Sequence, residues 1–315
     1  MDLQLTGRRA LVTGGSRGIG KAVAAALLAE GAEVVIAARD LDRLNEAAAD
    51  LAVAAGRAVL AVAVDTGDDA SVRQLVATAQ DRLGGVDVLV NCAARPAGQA
   101  PPLSLPEITG DAFWSDVNVK VMGYLRCAQA VAPGMVAAGW GRIISVSGLA
   151  ALSTGSVIGS IRNVAVSAMT KNLADELGPS GVNVNAVHPG LTRTEATPGV
   201  LAAQAAAAGV EPAEIERRIA SRNLTRTLID ASQVAAVIAF LASPLSVSIN
   251  GESIACGGGT PGVIRYLAQN GSGITPTATM RQLRRRRHVV GSGCSWNRFI
   301  EFFHDQLGLL ARTMI

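Results

Sequence analysis

Aromatic residues are scarce, 3% of 315 residues, so the core must be built from small aliphatic side chains that let helices sit close on a sheet. Long apolar runs are missing too. None reaches the ~20 residues a membrane helix needs, which excludes a helical membrane span. Cys92, Cys127, Cys256 and Cys294 are scattered, with no C-x-x-C and no clustered His. This spacing excludes a disulfide framework and gives no metal site, and it fits reduced thiols. A strand at 10–13 follows the N-terminus almost at once, with no basic-then-apolar stretch before it. A cytoplasmic protein is therefore expected. Charge of one sign is also lacking. The net charge is +3, but seven arginines against Glu301 and Asp305 give the segment from residue 267 a balance of +5 and leave the body at −2. Nothing in that body points to a nucleic-acid partner.

The chain does have 49% hydrophobic residues, enough for one large core. Short β-branched runs at 10–13, 34–38, 58–64, 86–91, 142–147, 182–188 and 252–255 alternate with helical stretches at 18–30, 41–55, 70–83, 112–138, 157–177 and 232–241. The strands are near-continuous apolar, as strands covered on both faces should be. This pattern predicts an α/β fold: a single doubly wound Rossmann-type domain over residues 1–266, with a seven-stranded, mostly parallel sheet and helices on both faces. Ligands of such a sheet bind at the strands' carboxyl ends, where the strand order reverses. Residues 191–227, Ala-rich and punctuated by Gly and Pro, read either as a substrate lid or as a surface helical insertion. Residues 267–315 carry Arg284-Arg285-Arg286-Arg287 and match nothing upstream. They are expected to form an atypical basic tail: a solvated segment, an arm contacting another subunit, or a tether to a nucleic acid or an anionic surface.

Between the first strand and helix runs Thr13-Gly14-Gly15-Ser16-Arg17-Gly18-Ile19-Gly20. A glycine turn at that place lets backbone N–H groups approach a pyrophosphate, whose charge the helix dipole favours. Asp65, Asn91-Cys92-Ala93-Ala94, Asn118, Ser147 and Pro189-Gly190-Leu191-Thr192-Arg193-Thr194 follow in order. Over about residues 5–262 the set resembles the short-chain dehydrogenase/reductase family. The resemblance implies cofactor contacts from Gly14, Ser16, Arg17, Gly18, Ile19, Gly20, Asp65 (at the adenine), Asn91, Pro189, Gly190, Thr192 and Thr194. It also implies a small-molecule substrate and a homo-oligomer, dimer or tetramer. Asn91-Cys92-Ala93-Ala94 departs from the family's Asn-Asn-Ala-Gly. An acidic residue ending the second strand would accept the ribose hydroxyls of NAD, but here Ala38 is followed by Arg39. Arg17 and Arg39 can flank a 2′-phosphate, so NADP is expected over NAD.

The family's proton-transfer pair, Tyr-x-x-x-Lys, is absent. Counting back from Thr170-Lys171-Asn172-Leu173, which resembles the usual continuation of that helix, puts Gly159 at the Tyr position and Asn163 at the Lys position. A shift of two gives Ile161 and Ala165, and the two tyrosines, Tyr124 and Tyr266, are remote in sequence. Asn163 keeps hydrogen-bonding capacity toward ribose but no charge with which to lower a neighbour's pKa. By resemblance Ser147 steadies a carbonyl and Asn118 orders a relay water, so these two are the expected catalytic residues. Arg162, His188 and the loop Ser153, Thr154 and Ser156 are further candidates, each with an ordinary structural alternative. Three functions remain open at this point. One is an NADP-dependent oxidoreductase acting on a small carbonyl, alcohol or activated C=C by non-standard proton transfer. The others are a non-redox lyase or cyclase, and a nucleotide-binding pseudoenzyme.

Overall fold

The computed structural model describes residues 1–95 and 102–262. The boundary expected at 266 and the basic tail lie outside the described residues. The first units are β1 (Arg9–Thr13), α1 (Gly18–Ala29), β2 (Glu33–Ala38), α2 (Leu41–Ala55), β3 (Leu60–Ala63), α3 (Asp69–Leu83) and β4 (Val88–Asn91). After them come α4 (Gly110–Val117), α5 (Gly123–Ala138), β5 (Gly141–Val146), α6 (Val157–Leu177) and β6 (Val182–Pro189). The described chain closes with β7 (Thr192–Arg193), α7 (Thr197–Ala208), α8 (Pro212–Ala220), β8 (Ile229–Asp230), α9 (Ala231–Ala242) and β9 (Ser253–Cys256).

Seven strands form one sheet in the order β3-β2-β1-β4-β5-β6-β9, and every pairing is parallel. The expected strands are all present, the third trimmed to Leu60–Ala63 and the fourth to Val88–Asn91. Successive strand residues point to opposite faces, and both faces are covered. Ala10 and Val12 of β1 join α1, α2 and α9 on one side, while Leu11 joins α3 and α5 on the other. The same alternation divides Val34 and Ile36 from Val35, and Val88 and Val90 from Leu89. Burial on both faces is why these strands read as unbroken apolar runs.

Local chemistry sets the helix ends. Asp40, Asp68 and Ser156 accept N–H bonds at the starts of α2, α3 and α6, each satisfying an amide that the helix leaves unpaired. Gly56, Gly84 and Gly139 end α2, α3 and α5 in the left-handed conformation. The sequence pattern predicts one helix over 112–138. The structure instead interrupts it with a π turn at Asn118–Met122, between α4 and α5. Residues 191–227 carry β7, which pairs in parallel with β8 just beyond the segment, and the helices α7 and α8, which share a small apolar cluster of Leu201, Ala205 and Ile215.

Candidate active site

Strand order reverses between β1 and β4, and a cleft of about 730 Å³ opens at their carboxyl ends. Thr13 ends β1 opposite Asn91, and its Oγ1 accepts from the N–H groups of Cys92 and Ala93 at 3.2 and 3.4 Å. The segment after β4 is thereby held against the glycine turn. The contact is so close that only glycine fits at residue 14. Its φ is +70°, and a Cβ there would lie 2.8 Å from the backbone of Cys92 and Ala93. At Gly20 a Cβ would fall 2.2 Å from the Gly14 carbonyl oxygen.

Of the residues expected from sequence, 14, 16–20, Arg39, Ser147, Asn163, Pro189, Gly190, Thr192 and Thr194 all line this cleft. Asp65, Asn91 and Asn118 do not. Asp65 Oδ1 accepts from the Gly67 N–H at 2.9 Å and so shapes the loop after β3, where Val64 and Thr66 face the cleft. Asn91 is buried. Its Nδ2 donates to Ser145 Oγ at 3.4 Å, and its Oδ1 has no partner among the described residues. Asn118 Nδ2 donates to the Gly67 carbonyl at 3.1 Å, on the far side of its helix. Residues 191, 192 and 194–196 also line the cleft, so the start of the 191–227 segment borders it.

The dinucleotide expected from the sequence fits this cleft. At the start of α1 the Gly18 N–H already donates to an anionic oxygen, Glu195 Oε1, at 2.8 Å. The carboxylate stands where a phosphate oxygen would be bound, because the amide and helix dipole favour negative charge there. Ala38 and Arg39 are joined in the lining by Arg43, which only the folded chain brings to the cleft. Arg95, after β4, is a second guanidinium of the lining found only in the structure.

Deeper in the cleft, Ser147 Oγ donates to the Asn163 carbonyl at 3.0 Å, so its proton is directed at α6. Gly159 is partly crowded: a Cβ there would come 2.8 Å from Ser156 Oγ, which caps the same helix turn. Arg162 is neither solvated nor a free cation. It is buried and ion-paired with Asp116 of α4. His188 is buried, with Nδ1 3.0 Å from the Gly148 carbonyl and Nε2 3.3 Å from Ser167 Oγ, the setting of a structural turn residue. Tyr124 is fully buried and donates to the Val146 carbonyl at 3.0 Å.

The sequence reading missed Lys120. This buried residue of the π turn lines the cleft, and its Nζ donates to Asn163 Oδ1 at 2.8 Å and to the Ser147 carbonyl at 2.9 Å. Residues two apart on a helix point in nearly opposite directions. Asn118 therefore faces the loop after β3 while Lys120 faces β5 and α6. Burial pulls the ammonium down to about 7; Arg162 adds to this, and Asp116 and Cys92 oppose it. Burial also pushes the Cys92 thiol up to about 12, so it stays neutral. A signal was available in the sequence: Lys120 is a lone charge among Val119, Val121 and Met122.

Among the described residues, no group of three or more His, Cys, Asp or Glu is placed to hold a metal ion, and no helix is long and apolar enough to cross a membrane. Comparison with known proteins agrees with the fold and the cleft. The family model described as Enoyl-(Acyl carrier protein) reductase matches residues 14–261. The chain is 35% identical over 254 residues to the short-chain reductase protein NovJ of Streptomyces niveus, covering 80% of this chain and 93% of that one. It is 34% identical over 245 residues to a sorbitol dehydrogenase of Cereibacter sphaeroides, covering 77% and 93%. Among solved structures, L-sorbose reductase from Gluconobacter frateurii, complexed with NADPH and L-sorbose, matches with a TM-score of 0.79 at 28% identity, over 84% of this chain and all of the other. With its parallel sheet, its glycine turn and relatives named as reductases and dehydrogenases, this chain belongs to the short-chain dehydrogenase/reductase family of oxidoreductases.

Proposed function

We propose that this protein is an NADP-dependent oxidoreductase acting on a small carbonyl, alcohol or activated C=C substrate by a non-standard proton transfer. One observation carries the cofactor choice: Arg17, Arg39 and Arg43 line the cleft together with Ala38, the residue that would have to be acidic to accept ribose hydroxyls. The NADPH complex of L-sorbose reductase supports it. When bound, NADPH supplies a hydride. The glycine turn and the start of α1 would hold its pyrophosphate, Asn163 its ribose, and the Pro189-Gly190 turn with Thr192 and Thr194 the nicotinamide end. The same reading includes a cytoplasmic homo-oligomer, which cell fractionation and light scattering test.

Fluorescence titration with both nucleotides tests the assignment. Losing one charge-assisted contact to the 2′-phosphate costs roughly 1.5–3 kcal/mol. Arg39→Ala should therefore weaken NADPH binding about 10- to 100-fold and leave NADH nearly unchanged. An unaltered NADPH/NADH preference would remove the basis for NADP.

Glu195 gives a second test of where the phosphate binds. Its exposed carboxylate competes for the Gly18 amide, an interaction of roughly 0.3–1 kcal/mol at a helix N-terminus. Glu195→Ala is expected to tighten NADPH roughly two- to fivefold. Weaker binding would mean that Glu195 holds the nucleotide rather than excluding it.

A further inference from the structure

The protein has three lysines against 25 arginines. Lys21 and Lys171 lie at the surface, paired with Asp50 and Asp175. The third, Lys120, is buried in the wall of the cleft. A chain that carries nearly all its positive charge on arginine thus keeps a lysine in this wall, and among the described residues Lys120, unlike the buried Arg162 beside it, has no carboxylate in a salt bridge with it. The two cations differ chemically in a way that matters there. Arginine holds its proton at any ordinary pH, while a desolvated ammonium can release one near neutrality.

We propose that Lys120 is the proton donor of this cleft, reaching from the π turn between α4 and α5 to do what Gly159 and Asn163 cannot. The proposal rests on the oxidoreductase reading above. Three observations carry it. Lys120 Nζ is bound to Asn163 Oδ1, the side chain at the position of the family's helix lysine, so Asn163 positions an ammonium that it does not itself supply. The Ser147 carbonyl takes a second N–H, and the third has no partner among the described residues. Ser147, the other candidate donor, spends its proton on the α6 backbone.

The step balances. As the carbonyl carbon gains hydride, its π pair moves onto oxygen, and that oxygen takes a proton from Lys120 Nζ. The N–H pair stays on nitrogen as a neutral amine, which regains a proton from water. One carbonyl becomes an alcohol for each NADPH oxidised to NADP⁺. The charged and titratable groups facing Lys120 are Cys92 after β4, Asp116 on α4 and Arg162 on α6. Asp116 and Arg162 neutralise each other, and Cys92 holds its proton. The ammonium is therefore the group among these that titrates near pH 7. Carbonyl reduction needs it protonated and should fall as pH rises through about 7. Alcohol oxidation needs the free amine and should rise over the same range.

Protein labelled with [6-¹³C]lysine gives three signals, assigned with Lys120→Met, and needs no substrate. One signal is expected to titrate near 7 and two near the ordinary lysine value of about 10.4. Turnover is followed as NADPH oxidation with 2,3-butanedione, phenanthrenequinone and a ketohexose. Lys120→Met and Lys120→Arg should each bind NADPH within about tenfold of wild type and lose roughly 10²–10⁴ in carbonyl reduction, together with the pH inflection. Three signals all titrating near 10 would overturn the proposal. So would a Lys120→Met protein that keeps its rate or its inflection, or a wild type that binds NADPH yet reduces none of the panel. A wild type that fails to bind NADPH at all brings down the oxidoreductase reading first, and the lysine's role with it.

Discussion

Gly20→Ala is expected to weaken nucleotide binding at least 100-fold and to lower the melting temperature by about 6–12 °C. The added Cβ would stand 2.2 Å from the Gly14 carbonyl oxygen, closer than any non-bonded contact allows, and a backbone atom cannot swing aside as a side chain can. Helix α1 must therefore move off the glycine turn. Overpacking of this kind costs about 3 kcal/mol, which for a domain of this size gives the stated shift in melting temperature. The turn shapes the cofactor cleft, so its distortion should weaken NADPH at least 100-fold. Gly18→Ala is the informative contrast. A Cβ there meets only Thr194, at 3.5 Å, and the strain is confined to a φ of +57°. That variant should lose roughly 1 kcal/mol and retain the fold. Calorimetry on the two proteins checks the order, and equal melting temperatures would mean that the turn yields more readily than its packing implies.

Asp87→Ala should cost about 2–3 kcal/mol while leaving NADPH affinity near wild type. Asp87 lies just before β4, at the amino ends of the central strands, opposite the cleft. Its Oδ2 accepts from Arg9 N at 3.0 Å and Arg9 Nε at 2.8 Å, and its Oδ1 accepts from Arg9 Nη2 at 2.6 Å. Its backbone ties β1 to β5, receiving Arg142 N and donating to the Arg9 carbonyl. Removing one partner of a buried pair costs about 3–5 kcal/mol. The Arg9 side chain keeps 29% exposure and a bond to the Gly84 carbonyl, so the expected loss is smaller. Burial alone would push the Asp87 carboxyl up, but the Arg9 hydrogen bonds and charge outweigh it and hold it below its ordinary value of 3.8. With the folded pKa depressed, the group's stabilisation is fully present above about pH 4. It is lost as pH falls through the lower folded value. Asp87→Asn should accordingly show a shallower acid limb in melting temperature below about pH 4. A limb as steep as wild type would assign acid sensitivity to other carboxylates.

Much of the architecture was legible because its causes are local. Ala10 to Thr13 and Val34 to Ala38 are apolar on both faces, and Asp40, Asp68 and Ser156 mark helix starts through bonds three residues away. The glycine turn states its own geometry, since only glycine tolerates the approach at residues 14 and 20. Ala38 followed by Arg39 likewise states a charge preference. The loss of Tyr-x-x-x-Lys was also plain, because both positions lie one turn apart on a single helix, α6.

The replacement left only one local mark, a lone charge among apolar residues, and its partners were not legible because of their distance along the chain. Lys120 meets Asn163 across 43 residues and Ser147 across 27. The contacts exist only because β5 lies beside β4 in the sheet and α6 packs next to the π turn. A regular helix over 112–138, which the periodicity favours, gives no reason to aim Lys120 inward. Arg162 shows the same limit: residue type alone left it between a substrate cation and a solvated side chain, and Asp116, 46 residues away, decided for a buried pair. By itself the sequence determined the strands, the helix ends and the turn that receives a nucleotide, since each depends on neighbours within a few residues. The tertiary structure alone decided which charged group stands in the catalytic end of the cleft, because burial and partners for a charge come from segments that only folding brings together.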